Sequence, residues 1–127
     1  MGKFVTKTVP TGVKFVLKAT NGQVILDSEV YSSEGACLKG IDSVKRSCVG
    51  PVEDQTKENF EVLTNPKFEV YLDKAEDFRF RLKAKNGQIV GISEAYKSWD
   101  ACINGINSVK ENAPEAPASR EETETAE

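Results

Sequence analysis

The sequence predicts an α+β fold: two tandem β-β-β-α repeats, one antiparallel sheet with both helices on one face, and a pseudo-two-fold axis relating the repeats. Three observations carry that expectation. The stretch Phe15-Val16-Leu17-Lys18-Ala19-Thr20-Asn21-Gly22-Gln23 returns sixty-five residues later as Phe80-Arg81-Leu82-Lys83-Ala84-Lys85-Asn86-Gly87-Gln88. Gap-free alignment of 13–46 with 78–111 gives 18 identities in 34 positions, the mark of an internal duplication. Each copy also passes in the same order from alternating apolar residues, through Asn-Gly, to apolar residues at helical spacing.

The elements follow in chain order. Lys3 to Lys7 is a short strand with Phe4 and Val5 facing opposite ways. Val9-Pro10-Thr11-Gly12 punctuates the chain, because proline cannot sit in a central strand. Lys14 to Thr20 alternates as a strand, and Asn21-Gly22 predicts a two-residue type I′ turn. That turn pairs Ala19 with Val24, Leu17 with Leu26 and Phe15 with Ser28, and Gln23 to Glu29 returns.

Ser33 suits the N-cap of a helix, with Glu34 at its positive end. Cys37, Ile41 and Val44 share one helical face, and Gly40 on that face lets the helix approach the sheet closely. Gly50-Pro51 ends the unit, and residues 49–66 form an acidic connector in which Phe60, Val62 and Leu63 read as a short extra strand. Lys67 to Asp73, Phe78 to Lys85, Gln88 to Glu94 and Ser98 to Glu111 then repeat the pattern.

One domain over 1–112 results, with repeat one at 3–48, the connector at 49–66 and repeat two at 67–112. Residues 113–127 hold five Glu, one Arg and no aromatic or branched aliphatic residue. Such a stretch reads as a disordered acidic tail that folding can dispense with. It accounts for the net charge of −3, since the tail contributes −4 and the rest, 16 Lys and Arg against 15 Asp and Glu, contributes +1.

Composition narrows the chemistry. The absence of histidine removes Ser-His-Asp and Cys-His nucleophile systems and every histidine-containing metal site. Three cysteines, none in Cys-x-x-Cys spacing and with no export signal ahead of them, read as reduced thiols in a cytoplasmic protein. Cys37 and Cys102 belong to the helix core faces, and Cys48, beyond a helix end, is the thiol expected at the surface. No apolar run reaches the roughly 20 residues of a membrane span. Neither paired acids nor a phosphate loop is present, so no catalytic, cofactor or metal residues are assigned and a non-enzyme is expected.

The block Phe-x-Leu-Lys-Ala-x-Asn-Gly-Gln, followed by Ser-Glu-x-Tyr and Gly-Ile-x-Ser-Val-Lys, resembles the YegP-like family of small bacterial proteins. Here these are Phe15 to Gln23, Ser28 to Tyr31 and Gly40 to Lys45, and again Phe80 to Gln88, Ser93 to Tyr96 and Gly105 to Lys110. The resemblance implies the duplicated β-β-β-α fold, with one-unit relatives associating as dimers, and implies no activity.

Two surfaces are candidates for function. Parity from the turn sends Val16, Ile25, Val90 and Ile92, with Val5 and Tyr71, to the sheet face away from the helices. So apolar a face predicts either the contact between the two halves or a binding or assembly module holding a protein partner or a second copy. The rival reading is anion or nucleic-acid binding by the stripe Arg79, Arg81, Lys83 and Lys85, which Glu69 and Asp73 offset on the neighbouring strand. Nucleic acid is disfavoured, because only Tyr71 could stack on a base there. Tyr31 and Tyr96 read as corner locks, each ring packing on its helix with the hydroxyl tying down the loop.

Overall fold

Alternation and capping place most elements where the sequence puts them. The computed structural model describes residues 2–121. In order these form β1 (Lys3–Val9), β2 (Gly12–Lys18), β3 (Val24–Asp27), α1 (Glu34–Ser47), β4 (Val52–Asp54), β5 (Lys67–Leu72), β6 (Phe78–Lys83), β7 (Ile89–Ile92), α2 (Trp99–Asn112) and β8 (Ala118–Arg120). The Ser33 and Ser98 hydroxyls cap the helices by accepting from the N–H groups of Ala36 and Ala101, both at 3.1 Å.

All eight strands share one sheet, in the order β4-β5-β6-β7-β3-β2-β1-β8. The sheet is mixed, which corrects the antiparallel expectation. Interior pairs are antiparallel, but β4 runs parallel to β5 and β8 parallel to β1. The reason lies at the rims. The outer edges of β1 and β5 would otherwise carry open backbone groups. The chain leaving each helix covers the edge belonging to the other half: Phe4 N–H donates to Pro117 O and Phe68 N–H to Pro51 O, each at 2.8 Å. The connector strand is therefore Val52–Asp54 rather than Phe60 to Leu63, whose segment holds no strand.

The same rim corrects the tail. Ala113 and Ala116 are wholly buried, β8 follows, and Glu121 N–H donates to Thr6 O at 2.7 Å. Residues 113–121 are thus part of the fold, and the remainder of the expected acidic tail, 122–127, lies outside the described residues. A chain ending at Pro114 should melt about 5–10 °C lower, because it loses a buried alanine and the cover of β1. An unchanged melting temperature in a calorimetric scan would reinstate the dispensable tail.

The hairpin turns also differ from expectation. Ala19 N–H donates to Gln23 O and Gly22 N–H to Ala19 O, both at 2.9 Å, so the loop is the three residues Thr20-Asn21-Gly22. Only Gly22 has positive φ, +87°, the mark of a type I turn closed by a glycine bulge rather than a type I′ turn. The extra loop residue shifts Lys18 opposite Val24, and a second bulge leaves Ile25 unpaired before Leu17 meets Leu26. The second hairpin repeats this, with Gly87 at +85° and Val90 unpaired.

Both helices lie on one face. α1 packs on β1, β2, β6 and β7, and α2 on β3 and β6. Cys37, Ile41 and Val44, with Cys102, Ile106 and Val109, bury against Phe15, Leu17, Phe80 and Leu82 as the periodicity requires. Phe4 meets Phe15 edge to face at 5.7 Å and Phe68 meets Phe80 at 5.8 Å. Cys48, expected at the surface, is 1 % exposed, and its Sγ donates to Lys45 O at 3.4 Å. Burial first of all raises the pKa of all three thiols, Cys102 to about 11, which leaves them protonated at neutral pH.

Candidate functional site

Side chains on the face away from the helices divide into two unlike fields. The side built from β4, β5 and β6 is a closed ionic network. Lys67 Nζ sits 2.5 Å from Glu53 Oε1 and 3.2 Å from Glu69 Oε2, with all three side chains buried. Glu53 also accepts from Gln55 Nε2 and from Leu63 N–H, each at 2.7 Å, so the connector folds over this corner. Burial pulls the Glu53 carboxyl up, yet hydrogen bonds from Gln55, Lys67 and Leu63 outweigh it and hold the pKa at about 2.

The predicted basic stripe runs into this network and is neutralised there. Arg81 Nε donates to Glu69 Oε1 at 2.6 Å, and Lys83 Nζ lies 3.3 Å from Glu69 Oε2. Arg79 Nε donates to Asp73 Oδ2 at 2.7 Å and its Nη1 to Ser93 O at 3.2 Å. The Arg79 hydrogen bond, first among several contacts, lowers the Asp73 pKa. Lys85 stands apart on the exposed turn, beside Ser43 and Arg46. The stripe is a structural lattice of ion pairs, as its offset by Glu69 and Asp73 foreshadows.

The apolar face also dissolves. Ile25 and Val90, each 5 % exposed, join the core, because the bulges release them from the strict alternation that assigned them to the outside. Val16 remains on the outer face beside Val5, but at 5 % and 7 % exposure neither offers a surface. The flanking lysines have aliphatic stems long enough to shield them. Tyr71 lies beneath the Arg81 guanidinium, 4.3 Å from ring centre to Cζ. Ile92 is half-buried opposite Asp27 at the seam where β3 meets β7.

What the outer face does offer is a lysine field on β1 and β2. Lys3 pairs across the strands with Lys18, and Lys7 with Lys14. Lys14 Nζ is 2.7 Å from Asp27 Oδ1, an ion pair without directed hydrogen-bond geometry. Among the described residues Lys3, Lys7 and Lys18 have no carboxylate within salt-bridge distance. Lys3 and Lys18 line a cleft of about 410 Å³ with Val5, Ser119, Arg120 and Glu121. The signal was in the sequence as Lys3, Lys7, Lys14 and Lys18, but the pairing that faces like charges together depends on the register.

Each corner tyrosine packs as a lock. Tyr31 bridges to Val13 through the backbone, stacks on Phe15 at 6.2 Å, and sets its hydroxyl over Gly40; Tyr96 does the same with Phe78, Phe80 and Gly105. The helix glycines therefore admit a tyrosine, where close approach of the sheet itself was expected. Backbone bonds, rather than the hydroxyl, tie the loop. No group of three or more Cys, Asp and Glu among the described residues is placed to hold a metal ion, and no described helix is long and apolar enough to cross a membrane.

The family model for a domain of unknown function, DUF1508, matches residues 12–54 and again 73–119. The chain belongs to the DUF1508 family. Among its relatives, the UPF0339 protein YegP of Yersinia pestis is 41 % identical over 113 residues, 88 % of each chain. A UPF0339 protein of Methanosarcina acetivorans is 64 % identical over 50 residues, which span 39 % of this chain and 86 % of that one. Two solution NMR structures share the fold. The UPF0339 protein of Shewanella oneidensis gives a TM-score of 0.77 at 32 % identity, covering 94 % of this chain and 90 % of that one. The yegP protein of unknown function from E. coli gives 0.75 at 32 % identity, covering 94 % and 91 %.

Proposed function

We propose that the protein is a non-enzymatic, cytoplasmic binding module that holds an acidic segment of a protein partner on the β1–β2 part of its outer sheet face. One observation carries this reading: like charges stand directly opposite one another at Lys3/Lys18, a placement that weakens a sheet. Nothing in the fold requires it, and an acidic ligand relieves it. The strongly shifted groups elsewhere are spent inside the fold, Glu53 in an ion pair and Cys102 as a buried thiol, which favours binding over catalysis. With Tyr71 capped by Arg81, the sheet offers no platform for stacking bases, and this disfavours nucleic acid.

A labelled oligoglutamate peptide tests the proposal by fluorescence anisotropy. Binding at 50 mM salt should fall at 300 mM, and K3E/K18E should weaken it about tenfold or more while K85A leaves it unchanged. No peptide binding at low salt, or equal binding by K3E/K18E, overturns the reading. Tighter binding of a mixed-sequence RNA returns the rival one.

The repeat is part of the same proposal. The halves are copies related by a pseudo-two-fold axis between Asp27 and Ile92. These residues lie sixty-five positions apart, the offset of the sequence repeat, and pair with each other across the seam. A relative matched over 50 residues that make up 86 % of its length is the size of one unit, which supports the reading.

A further inference from the structure

The seam between β3 and β7 holds an asymmetry that the duplication alone does not explain. Leu26 and Gly91 occupy equivalent positions at the sixty-five-residue offset, so both border the axis and both face the helices. Leu26 is wholly buried, and its side chain fills the space above Gly91. A Cβ at residue 91 would lie 2.5 Å from Leu26 Cγ, 2.6 Å from Cδ2 and 2.9 Å from Cδ1, all under the distance real Cβ contacts show. The next positions diverge as well, to Asp27 and Ile92, and these two pair directly.

We infer that Leu26 and Gly91 are a knob and a hole that make this seam an interface for unlike halves, one that rejects a second copy of either half. The inference rests on the pseudo-two-fold reading and is independent of the lysine face. A seam of β3 against β3 would set two leucines into the space that holds one and would oppose Asp27 to Asp27, like charges at the closest cross-strand spacing. A seam of β7 against β7 would leave the leucine volume empty beneath the helices, a void with no partner atoms on one side. Only the combination found here fills the space once. The surface that β3 presents thus fits the β7 edge of this chain, and the device steers the two halves toward each other and away from identical halves of neighbouring molecules.

The like-with-like seams can be built inside a single chain. G91L places leucine on both sides, and L26G places glycine on both. Thermal unfolding followed by circular dichroism should show each losing about 10 °C, and the exchanged double variant L26G/G91L should recover most of the combined loss. A double variant whose loss equals the sum of the two singles overturns the inference, since the positions would then act independently. Should G91L fail to fold, L26G and the double variant still decide: a double variant melting above L26G supports the knob and hole, and one melting no higher overturns it. If the coupling holds while a symmetric relation of the halves is disproved by other means, only the evolutionary premise falls.

Discussion

Replacing Lys67 by methionine should lower the melting temperature by about 10–20 °C. The side chain is buried and holds two carboxylates, Glu53 at 2.5 Å and Glu69 at 3.2 Å, besides donating to Leu63 O at 3.0 Å. Removing one member of a buried ion pair leaves an uncompensated charge and costs about 3–5 kcal/mol. K67M/E53L should regain much of that loss, since apolar replacement of the whole pair is often neutral. If K67M instead melts within a few degrees of the parent, the network is solvated and the connector does not close it. Acid supplies a second arm. Glu53 has a folded pKa of about 2 against an ordinary 4.5, so the stability it contributes is complete above about pH 4.5 and is lost as pH falls toward 2. In E53Q that part of the stability–pH profile should flatten.

Introducing alanine at Gly40 should destabilise the protein by about 2 kcal/mol, although alanine is the better helix former by ~1 kcal/mol. A Cβ there would lie 2.3 Å from the Tyr31 hydroxyl oxygen and 2.6 Å from Cζ. The ring has little room to retreat, being stacked on Phe15 at an interplanar angle of 12°. The effect should reverse sign in a Tyr31→Ala background, where only the propensity gain remains. Chemical denaturation of the four variants gives the coupling, and additive effects would show that the tyrosine swings clear. G105A with Tyr96 should behave alike, with Phe80 Cε2 at 3.0 Å as a further obstacle.

Much of the architecture was legible because it rests on local signals. The hairpin strands, both helices, their serine caps and the helix core faces follow from periodicity and capping chemistry. The misses share a cause. Asn-Gly supports more than one turn, and the choice of Thr20-Asn21-Gly22 displaced the register by one residue. That displacement, with the following bulge, turned Ile25 and Val90 from surface to core. β4 and β8, three residues each, are too short to show a period, and each is held by a strand outside its own unit, β4 by β5 and β8 by the distant β1. Tertiary placement decided the candidate site too. Glu69 was expected beside the basic stripe, but its burial with Lys67 and Glu53 shows only in the fold, and Lys18 reads as an ordinary surface residue until Lys3 faces it.

The parallel pairing of β8 with β1 also bears on how the molecule is made. In synthesis β1 meets its outer neighbour only when residues 118–120 follow, after β2 to β7 and both helices have been translated. Until then β1 presents an open edge, the kind of surface through which nascent chains on one message pair with each other. β5 has no such wait, since its outer neighbour β4 precedes it. The half that begins with β1 therefore bears the hazard of synthesis, and its edge is closed only by the strand that follows the second helix.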